Sequence, residues 1–127
     1  MDPDDPLFES TWARCAPLMQ ATMDYHESVE ELSNIKRKVQ SWQMQFWPAT
    51  DSVVVTCIVE TSKRRILDIV VLGGKESTIA QMAPEIEHWA KNVGCVAIRF
   101  DGRPGWQRLF PARSGYRAIT VTMEKEL

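Results

Sequence analysis

Two β-branched runs separated by five residues constrain the fold more than any other feature of this 127-residue sequence. Val53 to Glu60 reads VVVTCIVE, Ile66 to Leu72 reads ILDIVVL, and the residues between them are polar and basic. Such runs around a polar turn are typical of a β-hairpin. Because both runs are almost continuously apolar, we expect other elements to cover both faces of the hairpin.

Two helices are predicted before the hairpin. Residues 7–24 carry apolar side chains at three- and four-residue spacing, and Pro17 predicts either a kink or a helix in two parts. Ser28 with Glu31 three positions later is typical of the capping box that opens a helix, and the apolar stripe of this second helix extends to Trp42.

The remaining predicted elements give a mixed sheet. Gly73-Gly74 ends the second hairpin strand, and the helix that follows ends at Gly94, with Pro84 either kinking it or marking its first turn. The other elements are strands at 44–47, 95–101 and 116–124 and a short helix from Pro104 to Phe110. Because helices separate the later strands, crossovers are required. The expected fold class is α/β (α+β), a mixed, mostly antiparallel sheet with helices on both faces.

The composition predicts one domain. Residues 1–6 are acidic and proline-rich, so we interpret them as a flexible leader before a single domain at 7–127. With 44% hydrophobic and 25% charged residues, a disordered chain is excluded. No apolar run approaches the ~20 residues that span a bilayer, and the acidic start is unlike a signal peptide. We therefore expect neither secretion nor a membrane location.

Charge is distributed unevenly along the chain. Residues 1–31 hold eight acidic residues against one basic residue, a balance of 1 − 8 = −7, and residues 95–117 hold five arginines against one aspartate, a balance of 5 − 1 = +4. Either these regions pack against each other, or the arginines dock an acidic partner or a phosphate. Two short runs, 36–38 and 63–65, are basic. They are interpreted as solvated surface, with nucleic-acid binding as the alternative.

Cysteines and histidines give little sign of a reactive or metal site. Cys15, Cys57 and Cys95 are far apart and lie in apolar stretches, so we interpret them as buried, reduced side chains. A nucleophilic cysteine would need a base, for which only His26 and His88 are present. The close ligand spacing of a metal site is absent, and no metal is expected.

Five tryptophans are many for a chain of this length. Trp12, Trp42 and Trp89 fall on the apolar stripes of three predicted helices, which predicts that they pack in the core. Trp47 precedes the hairpin. Trp106 follows Gly-Arg-Pro-Gly, where it either anchors the short helix to the sheet or contacts a partner.

The order of the predicted elements resembles the GCN5-related N-acetyltransferase (GNAT) fold over residues 7 to 126. The resemblance implies that the loop after the second hairpin strand holds the pyrophosphate of acetyl-coenzyme A, through Leu72, Gly73, Gly74, Lys75 and Ser77. Glu76 in this loop would compete with phosphate for the helix N-terminus, and the alternative is that the two glycines only turn the chain. The tyrosine that acts as an acid in many such enzymes falls at Pro111, which cannot donate a proton.

A general base could come from one of three side chains. Asp68 is the most interesting because it interrupts an apolar strand, and the other two candidates are Glu60 and His88. The alternative for Asp68 is a solvent-facing or arginine-paired carboxylate. His88, beside Trp89, is interpreted as surface.

Three stretches, VQSWQMQFWPATDSVVVTCIVE, IEHWAKNVGCVAIRFDGRPGW and GYRAITVTMEKEL, resemble a family of small phage-encoded proteins found among virion-structure and assembly genes. The resemblance implies a non-catalytic virion or assembly protein on an acetyltransferase-like scaffold, located in the virion or the host cytoplasm. It would need no cofactor and would contact other phage structural or assembly proteins, with the interaction candidates Arg99, Arg103, Trp106, Arg108 and Arg113. Enzymatic activity is thus not the favoured expectation. The alternatives are an acyl-CoA-dependent N-acyltransferase and a nucleic-acid-binding adaptor.

Overall fold

The computed structural model describes residues 1–25, 30–100 and 125–126. Within these residues the chain forms three helices and four strands. In chain order they are α1 Phe8–Tyr25, α2 Leu32–Gln40, β1 Gln45–Pro48, β2 Ser52–Glu60, β3 Arg65–Gly74, α3 Glu76–Asn92 and β4 Ala97–Phe100. The elements predicted between 101 and 124 lie outside the described residues.

The predicted hairpin is confirmed as the centre of the sheet. The strand order is β1-β2-β3-β4, with β1, β2 and β3 antiparallel and β4 parallel to β3. Val55 pairs with Val71 and Thr56 pairs with Ile69, so Val70 is an extra residue in β3. Such a β-bulge bends the strand and redirects its side chains. The fold class is a mixed, mostly antiparallel sheet with helices, as expected.

Helices cover both faces of the sheet, which explains why the hairpin strands are apolar almost throughout. On one face, α1 and α2 pack over Val53, Val55 and Val71. On the other face, α3 packs over Val54, Leu67 and Leu72. Consecutive strand residues therefore enter opposite cores. Burial of both faces removes much apolar surface from water, at about 25 cal/mol per Å².

The helices differ from the predictions at their ends. α1 continues on both sides of Pro17, and Pro84 lies well inside α3 rather than in its first turn. α2 begins at Leu32, with Glu31 as an N-cap that makes no side-chain capping bond. Ser28 lies outside the described residues, so the predicted capping box has no counterpart in them. Gly94 follows α3 with a φ of 89°, which confirms its expected place at the carboxyl end.

The prediction for Trp42 is wrong. α2 ends at Gln40, so Trp42 leaves the helical stripe and is 62% exposed, with a φ of 66°. Trp12 is buried in the core under α1, and Trp89 meets Trp47 edge to face with ring centroids 5.6 Å apart. The apolar spacing therefore predicts burial only for tryptophans that lie within a helix of the structure.

The first residues of the chain make local and long-range contacts. The Met1 ammonium donates to the Phe46 carbonyl of β1, and the Phe8 amide donates to the Asp5 carbonyl at 2.9 Å, which leads the chain into α1. These contacts place the leader beside β1. The division into a leader and a domain stays a prediction.

Candidate active site

Strand β3 leads directly into the N-terminus of α3. The strand ends at Gly74, Lys75 is the N-cap without a side-chain capping bond, and Glu76 begins the helix. The first helical hydrogen bond runs from the Ile79 amide to the Lys75 carbonyl at 3.1 Å. The three preceding amides therefore have no acceptor within the helix, and they give this end a partial positive charge. Lys75, Glu76 and Ser77 are exposed there.

The glycine pair is required by the packing of the chain around it. A Cβ at Gly73 would lie 2.6 Å from the carbonyl oxygen of Leu18, so β3 could not approach α1 as it does. A Cβ at Gly74 would lie 2.2 Å from the Asp51 carbonyl oxygen, and the φ of Gly74 is 104°, which favours glycine. Close packing at Gly73, and close packing with a positive φ at Gly74, are therefore sufficient to explain the two glycines.

Two residues at the start of β2, Asp51 just before the strand and Ser52 as its first residue, hold the same junction from the other side. Ser52 is fully buried, and its Oγ accepts a hydrogen bond from the Lys75 amide at 2.9 Å. A hydrogen bond with Thr78, then one with Ser52 and the charge of Lys75, hold the pKa of the Asp51 carboxyl below its ordinary value. Asp51 therefore places a carboxylate at the N-terminal end of α3. Sequence reasoning missed both residues, although an Asp-Ser pair before a strand is a polar signal.

A second polar cluster lies on the other half of the sheet. Asp68 is half-buried in β3, opposite Cys57 in β2 and Arg99 in β4, and it is two residues before the bulge at Val70. Burial, followed by the charge of Asp68, raises the pKa of the Cys57 thiol, and Lys38 acts in the opposite direction. Lys38 in α2 is therefore close enough to act electrostatically on the Cys57 thiol. The register places Asp68 next to Arg99, and Lys38 was not among the predicted site residues.

Other predicted site residues are placed as follows. Arg99 is exposed on β4, while Arg103, Trp106, Arg108, Pro111 and Arg113 lie outside the described residues. His88 is exposed, as expected. Glu60 is 3.4 Å from Arg65 across the hairpin end, which leaves Asp68 as the candidate base nearest the bulge.

The described residues contain no group of three metal-ligating side chains. Nor does any helix among them combine the length and the apolar character needed to cross a membrane.

The sequence matches no protein-family model and no curated protein, but the fold has counterparts among solved structures. An aminoglycoside acetyltransferase from an uncultured soil metagenomic sample matches with a TM-score of 0.64 and 10% identity, covering 100% of this chain and 95% of its own. Glucosamine-6-phosphate N-acetyltransferase from Arabidopsis thaliana gives 0.62 and 12%, covering 92% of each chain. A GNAT family acetyltransferase from Staphylococcus aureus gives 0.56 and 13%, covering 93% of each.

These neighbours contradict the expected role as a non-catalytic virion or assembly protein. The matches extend over 92% of this chain or more, and the proteins matched are described as acetyltransferases. None of them supports a virion role, so the acyl-CoA-dependent alternative is the better-supported one. The polypeptide has a GNAT-like acetyltransferase fold.

Proposed function

We propose that the protein is an acyl-CoA-dependent N-acyltransferase. The amine nitrogen would form an amide bond with the acyl carbon as the thioester C–S bond breaks, and coenzyme A would leave as a thiol that takes up the proton lost by the amine. The β3–α3 junction carries the proposal, because an exposed helix N-terminus directly after a strand is suited to binding phosphate. Lys75 adds a cation and Ser77 a hydroxyl at this end. The fold shared with acetyltransferases supports the proposal, but one fold hosts many functions. The assignment therefore depends on the residues of the site.

The junction fits the pyrophosphate of coenzyme A. Leu72, Gly73, Gly74, Lys75 and Ser77 would hold it, with the first amides of α3 as donors. Two carboxylates oppose an anion there, those of Asp51 and Glu76, but Asp51 is engaged by Thr78 and Ser52. Lys75 offsets part of the remaining negative charge. When bound, the acyl-coenzyme A supplies an activated acyl thioester.

Asp68 is the proposed general base. An amine is nucleophilic only after it loses its proton, and a carboxylate within hydrogen-bond reach can accept that proton. Asp68 lies in the strand that leads to the junction, close to the bulge, and it is half-buried rather than on an open face. Cys57 beside it has a raised thiol pKa and is therefore mostly a neutral neighbour at pH 7.

The likeness of three sequence stretches to small phage-encoded proteins supports a phage origin, with activity in the host cytoplasm. This origin is part of the proposal. It does not require a place in the virion.

Calorimetric titration with acetyl-coenzyme A tests the donor site. We expect micromolar binding, and about tenfold weaker binding by Lys75→Ala, because that change removes one charge-assisted contact to phosphate. Lys63→Ala in the exposed hairpin turn is the matched control and should bind like the parent protein.

In a thiol-release assay, Asp68→Asn should lower kcat by about 10²-fold or more while leaving acetyl-coenzyme A binding unchanged. A folded protein that gives no heat with acetyl-coenzyme A would refute the proposal.

A further inference from the structure

A polar groove runs along α2 next to the second polar cluster. Its lining is formed by Glu30, Asn34, Arg37, Lys38, Ser41 and Gln43, and its volume is about 430 Å³. Cavities of this size take small organic molecules. We call it the α2 groove.

The α2 groove carries more positive than negative charge. Arg37 and Lys38 contribute two cations against the single carboxylate of Glu30, which lies 3.1 Å from the Lys38 ammonium. Arg37 donates to the Asn34 side-chain oxygen, which holds its guanidinium over the groove wall. An Arg and a Lys side by side suit a phosphate or a carboxylate, whereas a polycationic ligand would need an acidic lining.

The chain that leaves the α2 groove enters the sheet at β1, two strands away from Asp68 in β3. The amides of Gln43 and Met44 both donate to the Lys38 carbonyl, at 2.8 and 3.1 Å, so the chain folds back over Lys38 before it enters β1. Gln45 then pairs with Thr56, the neighbour of Cys57, and Cys57 pairs with Asp68. Leu67 and Ile69 pack in the α3 core, so Asp68 between them faces the side of the sheet that α1 and α2 cover. A ligand with its anionic group at Lys38 would therefore lie on the same face of the sheet as Asp68.

Trp42 is an exposed aromatic side chain next to the α2 groove. It lies between the groove residues Ser41 and Gln43, at 62% exposure. Its φ of 66° belongs to the C-cap of α2, because the Trp42 and Gln43 amides donate to the Val39 and Lys38 carbonyls. The ring contributes little to the core and is therefore accessible to a molecule bound in the groove.

We propose that the α2 groove binds the anionic group of the acceptor, so that the acceptor is a small amine carrying a phosphate or a carboxylate. Lys38 and Arg37 would bind the anionic group and Asp68 would receive the amine. This inference rests on the proposed N-acyltransferase function and specifies its acceptor.

The test compares three short amines that differ in the anionic group with one polycation. O-phosphoethanolamine and β-alanine supply the phosphate and the carboxylate, ethanolamine is the neutral counterpart, and spermidine is the polycation. Turnover with acetyl-coenzyme A should be faster with at least one anionic amine than with ethanolamine. The faster of the two anionic amines shows whether the groove prefers a phosphate or a carboxylate. Direct calorimetric titration of the same four compounds, without acetyl-coenzyme A, gives a readout that does not depend on turnover.

Lys38→Met removes the charge and keeps most of the side-chain stem. It should raise KM, or the calorimetric Kd, for the anionic amine by about tenfold, with the KM for acetyl-coenzyme A unchanged. Lys63→Met, in the hairpin turn, is the charge-matched control and should change neither value. Preference for spermidine or ethanolamine, or an unchanged KM and Kd in Lys38→Met, overturns the inference. Failure of both anionic amines to bind or react also overturns it, whereas failure of acetyl-coenzyme A to bind overturns the proposed function itself.

Discussion

Single residues at close approaches determine how tightly the layers of this fold can pack. A Cβ at Gly73 would meet the carbonyl oxygen of Leu18, whereas a Cβ at Gly94 would only touch the Arg65 side chain at 4.0 Å, but Gly94 has a φ of 89°. The two glycines are therefore needed for different reasons. At Gly73 the constraint is steric, and at Gly94 it is conformational.

Replacing Gly73 or Gly94 by alanine should lower the stability by different amounts. Gly73→Ala should lower the free energy of unfolding by about 3 kcal/mol or more, because α1 must move away from β3. Gly94→Ala, the matched control, should cost only about 1–2 kcal/mol, since an L residue in the left-handed region is strained without any clash. Urea unfolding measures both, and an equal or smaller loss for Gly73→Ala would contradict the packing described here.

At the scale of the elements, α3 is defined by its two ends. Gly94 ends α3, as the sequence indicates. The N-terminus of α3 is stabilised by Asp51, just before β2, and by Ser52, the first residue of β2. Arg14 of α1 donates to the Thr50 carbonyl at 2.9 Å and so helps to hold that loop against the helix layer. Asp51 is then placed to accept a hydrogen bond from Thr78. A carboxylate at a helix N-terminus also interacts favourably with the helix dipole.

The Asp51 contact predicts a pH-dependent contribution to stability. Its pKa is lowered in the folded protein below the ordinary value of 3.8, so the carboxylate stabilises the fold above that pH, and the contribution is lost as the pH falls through the folded-state pKa. The difference in unfolding free energy between the parent protein and Asp51→Asn should thus be larger at pH 6 than at pH 2.5. Denaturant titrations at both pH values measure it, with Asp4→Asn in the leader as control. A difference that does not change with pH would argue against the contact.

At the scale of the whole molecule, the acidic N-terminal region is paired with α2. Glu9 is 2.6 Å from Lys36, and Glu30 is 3.1 Å from Lys38. The expected packing against the arginine-rich region 95–117 is not seen in the part of that region that is described, which ends at Phe100. Exposed ion pairs of this kind each contribute at most about 1 kcal/mol. The two apolar cores, rather than charge, therefore account for most of the stability.

The two cores predict the order in which the thiols react. Cys15 is 0% and Cys95 8% exposed, while Cys57 is half-buried. Burial raises the pKa of both Cys15 and Cys57 thiols, so all labelling should be slow. An aromatic disulfide reagent should modify Cys57 first, and the other two only as fast as the protein unfolds. Peptide mass spectrometry assigns the sites, Cys57→Ser removes the fast phase, and equal rates for all three would be inconsistent with this burial.

The sequence by itself determined the central hairpin, the order of the elements through β4, the end of α3 at Gly94 and the fold class. These features depend on local sequence. The spacing of apolar residues determines whether a segment forms a helix or a strand, and glycine positions determine where the element ends. The tertiary structure alone decided that Val70 is the bulge, that Trp42 is exposed, that Asp51 meets Thr78, and that Asp68 lies between Cys57 and Arg99. Each of these depends on strand register or on where a helix ends, and a shift of one residue would change which side chains meet. For the same reason, the candidate base could be chosen from the sequence, but its neighbours could not.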